Sequence, residues 1–127
     1  MAKTFEGKTV IVTGGTRGIG KAIVQELASR GANMAFNYAR SADEAEQLTS
    51  EINAGGGKAF SMQCDVADTA ASAEFVKAVT AEFGTVDFLV NNAGITRDQL
   101  VMRMKEEDWD AVIDTNLKGA WNFSKAV

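Results

Sequence analysis

The chain has 127 residues, 46% hydrophobic and 24% charged, with a net charge of −4 and its basic residues scattered. This balance suits one soluble globular domain and argues against a nucleic-acid or membrane surface, and the length suffices for a sizeable core without disulfides or metals. Cys64 is the only cysteine and there is no histidine, which excludes an intrachain disulfide, Ser-His-Asp and Cys-His triads, and the commonest zinc sites.

The first predicted strand, Thr9–Thr13, runs into Thr13-Gly14-Gly15-Thr16-Arg17-Gly18-Ile19-Gly20, and a helix follows from about Gly18 to Arg30. Strand, glycine turn and helix in that order make a pocket for phosphate. The glycines allow a sharp turn and a close backbone approach, and the helix N-terminus presents unpaired N–H groups to negative charge. An ordinary tight turn is the alternative, and the correct context on both flanks favours phosphate. The candidate cofactor-binding residues here are Gly14, Thr16, Arg17, Gly18, Ile19 and Gly20. Ile19, Ile23, Val24 and Leu27 fall on one predicted stripe of the helix, and Gly31 supplies its stop.

Strand two is Asn33–Tyr38. NAD-specific sheets place an acid near its tip, roughly 20 residues past the glycines, to bond the ribose 2′-hydroxyl. Here the tip reads Asn37-Tyr38-Ala39-Arg40, with no acid. Arg40 there and Arg17 in the glycine turn suit a 2′-phosphate, because a guanidinium matches phosphate geometry. Solvated surface charge is the alternative for either arginine alone; the pair, together with the missing acid, points to NADP. Asn37 and Arg40 join the candidate cofactor residues.

Helix two opens on Ser41-Ala42-Asp43-Glu44, which reads as a capping box, and buries Ala45, Leu48 and Ile52 before Gly55-Gly56-Gly57. Strand three, Lys58–Cys64, precedes a helix with Phe75, Val76, Val79 and Phe83 at helical spacing. Strand four, Val86–Val90, is nearly continuously apolar, the pattern of a strand covered on both faces. The last segment, Glu106 to Val127, carries a predicted inward stripe of Trp109, Val112, Ile113, Leu117 and Ala120. Asn116 falls on that stripe and, once buried, must find partners. Trp121 lies about 120° round from Trp109, off the stripe. Four strands joined by right-handed crossovers predict a three-layer α/β/α parallel sheet in the order 3-2-1-4, with a ligand crevice beside strand one.

The glycine spacing Gly-x-x-x-Gly-x-Gly resembles that of the short-chain dehydrogenase/reductase family, which binds NAD or NADP. Cys64-Asp65-Val66 matches the family's adenine-contacting Asp and Val, although Asp65 also suits a turn cap. Asn91-Asn92-Ala93-Gly94 matches the family signature beside the cofactor, which adds Asn91, Ala93 and Gly94 to the candidates. Asn116 matches the helix asparagine of the family's proton relay, and a structural network is its alternative role. The stretch Asn91–Val127 is particularly similar to 3-oxoacyl-acyl-carrier-protein reductases. The resemblance covers essentially the whole chain and implies the NADP-binding half of a Rossmann-like fold, residues 1–127, stopping before strand five.

The family's chemistry also needs a serine on strand five and a Tyr-x-x-x-Lys pair, in which the tyrosine delivers a proton and the lysine lowers its pKa. These 127 residues contain neither, because the sole tyrosine, Tyr38, has Ala42 four positions later. Two readings follow. The first is an NADPH-dependent ketoreductase fragment that binds NADP but does not turn over alone. The second is a designed or excised half-fold that self-associates without cofactor function. A small receiver domain is disfavoured, because strand one is not followed by a magnesium-binding acidic cluster. The open side of strand four predicts a homodimer, with a complementing C-terminal half as another partner. Met1-Ala2-Lys3 does not begin a signal peptide, and no apolar run approaches transmembrane length, so a cytoplasmic protein is expected.

Overall fold

A computed structural model describes residues 3–127. The strand β1 (Thr9–Val12) is buried at every residue, and its side chains alternate between two cores. Val10 and Val12 join one core; Ile11 points into the other. This is the period-2 alternation of a strand with helices on both faces. The other strands are β2 (Asn33–Tyr38), β3 (Lys58–Gln63) and β4 (Phe88–Val90), and the parallel order is β3-β2-β1-β4. The register pairs Ile11 with Ala35 on one side and with Leu89 on the other.

Helices α1 (Gly18–Ser29) and α2 (Ala42–Ala54) cover the first core. Val24 of α1 and Ala45 and Leu48 of α2 pack on Met34 and Phe36. Helices α3 (Thr69–Phe83) and α5 (Gly119–Ala126) cover the other face. Phe75 and Phe123 are both fully buried there, with ring centroids 5.7 Å apart. Between β4 and α5 lie a 3₁₀ turn (Val101–Arg103), a short helix α4 (Glu106–Val112) and a π-helical segment, Ile113–Lys118. No helix among the described residues is long and apolar enough to cross a membrane.

The predicted fold class and strand order are therefore present, with corrections at several elements. Strands one and three each stop one residue early, although Thr13 N still donates to Val90 O and Cys64 N to Tyr38 O. Strand four is three residues rather than five, because the Asp87 carboxylate takes Thr9 N at 2.8 Å and replaces a ladder contact. It lies at the sheet edge with Phe88 exposed, and its faces are only partly covered, Leu89 packing toward the α3/α5 core and Val90 toward the α1/α2 core. Ile19 is not in the core of α1; it is 75% exposed, in the helix's first turn.

The capping box does not form. Ser41 makes no cap hydrogen bond; its hydroxyl meets Thr16 Oγ1 at 2.8 Å, and Glu44 pairs with Arg17 at 3.1 Å. Both box partners are drawn to the glycine turn instead.

The inward stripe of the last segment is only partly present, with Val112, Ile113 and Ala120 half-buried. Trp109 and Leu117 are exposed, whereas Gly119, Asn122 and Phe123 are buried. The π-helical segment interrupts the 3.6-residue period, so α4 and α5 do not share one stripe. The buried amide is Asn122 rather than Asn116. Asn122 Nδ2 donates to Val66 O at 2.8 Å, and its Oδ1 accepts from Thr69 Oγ1 at 3.0 Å. Trp121 is off the core and exposed, as expected.

Candidate functional site

The C-terminal ends of the parallel strands open onto a crevice of about 620 Å³. One wall is the glycine turn, with Gly14, Thr16 and Arg17; a second is the β2 tip, with Asn37 and Arg40; a third is Asp65 and Val66 after β3. The fourth is the segment after β4, with Ala93 and Gly94. Nine of the residues predicted from sequence thus share one cleft.

The turn itself is held by side chains from neighbouring strands. Gly14 has φ +68°, a left-handed conformation that a side chain would strain. Its N–H donates to Asn37 Oδ1 at 2.8 Å, while Asn37 Nδ2 donates to Cys64 O at 2.8 Å. Asn37 is buried and has both ends of its amide engaged. It therefore positions the turn. The Thr13 hydroxyl accepts from Asn92 N and Ala93 N, each at 2.9 Å, which ties the turn to the segment after β4.

Helix α1 follows with no side chain capping its N-terminus. Its first N–H groups are the donors that an anion would find. A Cβ on Gly20 would collide with Gly14 O and lie 2.5 Å from Asn92 Nδ2. Gly18 faces no atom within 4 Å, so the approach to the helix end is open. Gly18, Ile19 and Gly20 thus form the first turn of α1 beside the crevice rather than its lining.

Asn91 is turned away from the crevice. Its Nδ2 donates to Ser124 Oγ of α5 at 3.2 Å. The strand alternation explains this: Leu89 belongs to the α3/α5 core and Val90 to the α1/α2 core, so Asn91 continues on the α5 side. Asn92, absent from the sequence-based candidates, faces the glycine turn instead. Its Nδ2 donates to Thr13 O and Gly14 O, both at 3.1 Å. Counting positions from Val90 would have found it.

Asp65 performs its turn-capping role, with Oδ1 accepting from Ala67 N at 2.9 Å, and still borders the crevice. Asn116 is exposed and lies in the π segment. It brackets Ile95, accepting from Ile95 N at 2.8 Å and donating to Ile95 O at 2.9 Å. A two-way clamp of this kind fixes the loop after Gly94. Thr115 and Ile95, which the sequence reading missed, line the crevice beside it.

The charges at the crevice are basic on the β2 side. Arg40 is exposed and has no ion-pair partner among the described residues, whereas Arg17 pairs with Glu44. Burial pushes the Cys64 thiol above its ordinary pKa; a Ser72 hydrogen bond opposes this, and Asp65 and Asp68 add to it. The thiol is a core group rather than a nucleophile. A second cavity of about 700 Å³ lies at the opposite strand ends, near Ala28, Gly55 and Lys58. It faces the C-terminal ends of α1 and α2, whose carbonyl poles disfavour phosphate.

Comparison with known proteins agrees with this geometry. A family described as short chain dehydrogenase matches residues 8–127. The 3-oxoacyl-acyl-carrier-protein reductase FabG of Staphylococcus epidermidis is 54% identical over 120 residues, covering 94% of this chain and 49% of that protein. FabG of Escherichia coli is 46% identical over 123 residues, covering 97% of this chain and 49% of that one. A solved short chain dehydrogenase from Burkholderia cenocepacia in complex with NADP superposes with a TM-score of 0.93 at 40% identity, covering 96% of this chain and 50% of the other. The chain spans about half the length of the curated relatives it matches.

Proposed function

The chain belongs to the short-chain dehydrogenase family, and from that premise we propose that it is the NADP-binding part of a cytoplasmic, NADPH-dependent reductase of 3-oxoacyl thioesters. The observation that carries this reading is the crevice itself: an uncapped helix N-terminus behind a glycine turn, beside a β2 tip that offers Arg40 where an acid would select NAD. The residues present fit the phosphate-bearing half of the cofactor. The α1 N-terminus and the Gly14–Gly20 approach take the pyrophosphate, Arg40 and Arg17 the 2′-phosphate, and Asp65 and Val66 the adenine. The bound cofactor supplies a hydride for a carbonyl carbon. This chain's contribution is to bind and orient it, with Asn37 and Asn92 setting the turn.

Asn116 belongs to the reading as the family's relay asparagine, and its clamp on Ile95 supports a positioning role. No group among these 127 residues replaces the Tyr-x-x-x-Lys proton donor, since Tyr38 lacks the lysine. General acid catalysis contributes about 10²–10⁴-fold, so the chain alone is expected to bind without reducing a 3-oxoacyl thioester. Fluorescence titration with NADPH and NADH tests the proposal. Saturable binding that favours NADPH is expected; equal affinities, or none, overturn it.

A second reading, self-association through β4, has its own support in the open strand edge and the exposed Phe88. Light scattering across a dilution series is expected to show a dimer that Phe88→Lys dissociates. A monomeric mass at high micromolar concentration overturns the seam. A separate C-terminal half that restores reductase activity would favour the first reading.

A further inference from the structure

We infer that Glu44 is a specificity-determining residue: it holds Arg17 against α2 and competes with the 2′-phosphate of the cofactor for that guanidinium. The inference rests on the dinucleotide reading above. It begins from the failed capping box. Glu44, three residues after Ser41, is placed to reach back to the Ser41 N–H, yet its carboxylate lies 3.1 Å from Arg17 Nε. Ser41 is diverted in the same direction, to Thr16. The glycine turn and the start of α2 are therefore joined by two contacts, from adjacent residues of the turn to residues three apart at the start of α2.

Arg17 stands between two recesses. It lines the crevice with Arg40, and it also lines a separate hollow of about 270 Å³ with Glu44 and Lys21. A carboxylate and a phosphate oxygen make the same demand on a guanidinium, a charge-assisted hydrogen bond. The Glu44 carboxylate thus stands where an anionic ligand would compete. A 2′-phosphate must share the Arg17 guanidinium with it, through the nitrogens other than Nε, and remain close to its negative charge. A 2′-hydroxyl makes no such demand, so Glu44 lowers the preference for NADP over NAD without altering binding of the shared pyrophosphate. Arg40, unpaired among the described residues, attracts the phosphate without this competition.

The magnitude follows from exposure. Both side chains are more than half exposed, and such pairs are weak. Removing the Glu44 charge is expected to tighten NADP⁺ binding by about two- to fivefold, with NAD⁺ unchanged.

The test is calorimetric titration of the full chain with NADP⁺ and NAD⁺ at low and high salt, with three variants. Glu44→Gln is expected to raise NADP⁺ affinity selectively, and the gain should shrink at high salt as screening increases. Glu46→Gln removes the same charge from the same helix without touching Arg17, and it should leave the preference unchanged. Combining Glu44→Gln with Arg17→Gln should erase the gain. A Glu44→Gln protein that binds NADP⁺ no tighter, or gains equally for both cofactors, overturns the role of Glu44 while the dinucleotide reading stands. Failure of both cofactors to bind the parent chain and every variant overturns both.

Discussion

The side chain of Asn37 and the backbone of Gly14 meet at 2.8 Å, so the tip of β2 sets the angle at which the glycine turn leaves β1. Because Asn37 also reaches Cys64 O, one buried amide joins the ends of three adjacent strands. Replacing it with Ala leaves the part-buried Gly14 N–H and the buried Cys64 carbonyl without this partner, which costs about 1–3 kcal/mol. Urea unfolding of Asn37→Ala is expected to show that loss, with NADPH binding weakened in parallel.

Gly20→Ala sets two effects against each other. Alanine favours a helix over glycine by about 0.5–1 kcal/mol. The added methyl, however, meets the Gly14 carbonyl and the Asn92 amide, and neither can withdraw without moving the turn. Overpacking of this kind costs about 1–3 kcal/mol, so net destabilisation is expected in thermal melts, together with loss of NADPH binding.

Arg40→Asp exchanges attraction for repulsion at the β2 tip. A charge-assisted bond to phosphate is worth about 1.5 kcal/mol at the lower end of its range, so the NADPH preference should fall by roughly tenfold or reverse. Parallel titrations with NADPH and NADH decide this, and an unchanged ratio would place the 2′-phosphate elsewhere.

Phe123→Ala probes the covering of the second core. The ring is fully buried against Phe75, and truncations of this kind cost about 3–5 kcal/mol. The expected outcome is a large fall in midpoint and a chain in which α5 detaches. Near-ultraviolet circular dichroism of Trp121, on the same helix, reports that detachment.

Cys64 gives a pH dependence with a definite sign. Burial raises its folded-state pKa, so below the ordinary thiol value of about 8.5 both folded and unfolded chains keep the proton. Above it, the unfolded chain releases its proton while the folded chain still holds it. Stability therefore falls as pH rises from the ordinary value to the raised one. The difference in unfolding free energy between the parent and Cys64→Ala should decline over that range, whereas a constant difference would show that the thiol does not titrate there.

Much of the architecture was legible because it rests on local patterns. The strand-like run Thr9, Val10, Ile11, Val12 and the stops at Gly31 and Gly55 placed β1, α1 and α2 within a residue or two. The glycine turn and the Asn91–Gly94 signature located the crevice from two distant stretches of chain. What was not legible depended on contacts across the fold. Ser41 and Glu44 fit a local capping box, but the glycine turn offered them other partners. The misplaced stripe came from applying one helical period across Ile113–Lys118. Asn116 was expected on the buried face that Asn122 in fact occupies, and composition gives no hint of that. Asn91 and Asn92 differ only in which way the strand points them.

The π-helical segment also makes chain length in this region a structural quantity. Winding Ile113–Lys118 as ordinary α-helix with no residue removed would rotate everything beyond it by about 100°, because the wider turn absorbs one extra residue. Phe123 would leave Phe75, and Asn122 would leave the Val66 carbonyl, although no residue of α5 had been altered. The clamp of Asn116 on Ile95 would swing out of reach in the same movement. The extra winding works as a spacer, keeping the loop that borders the crevice in step with the helix that closes the second core.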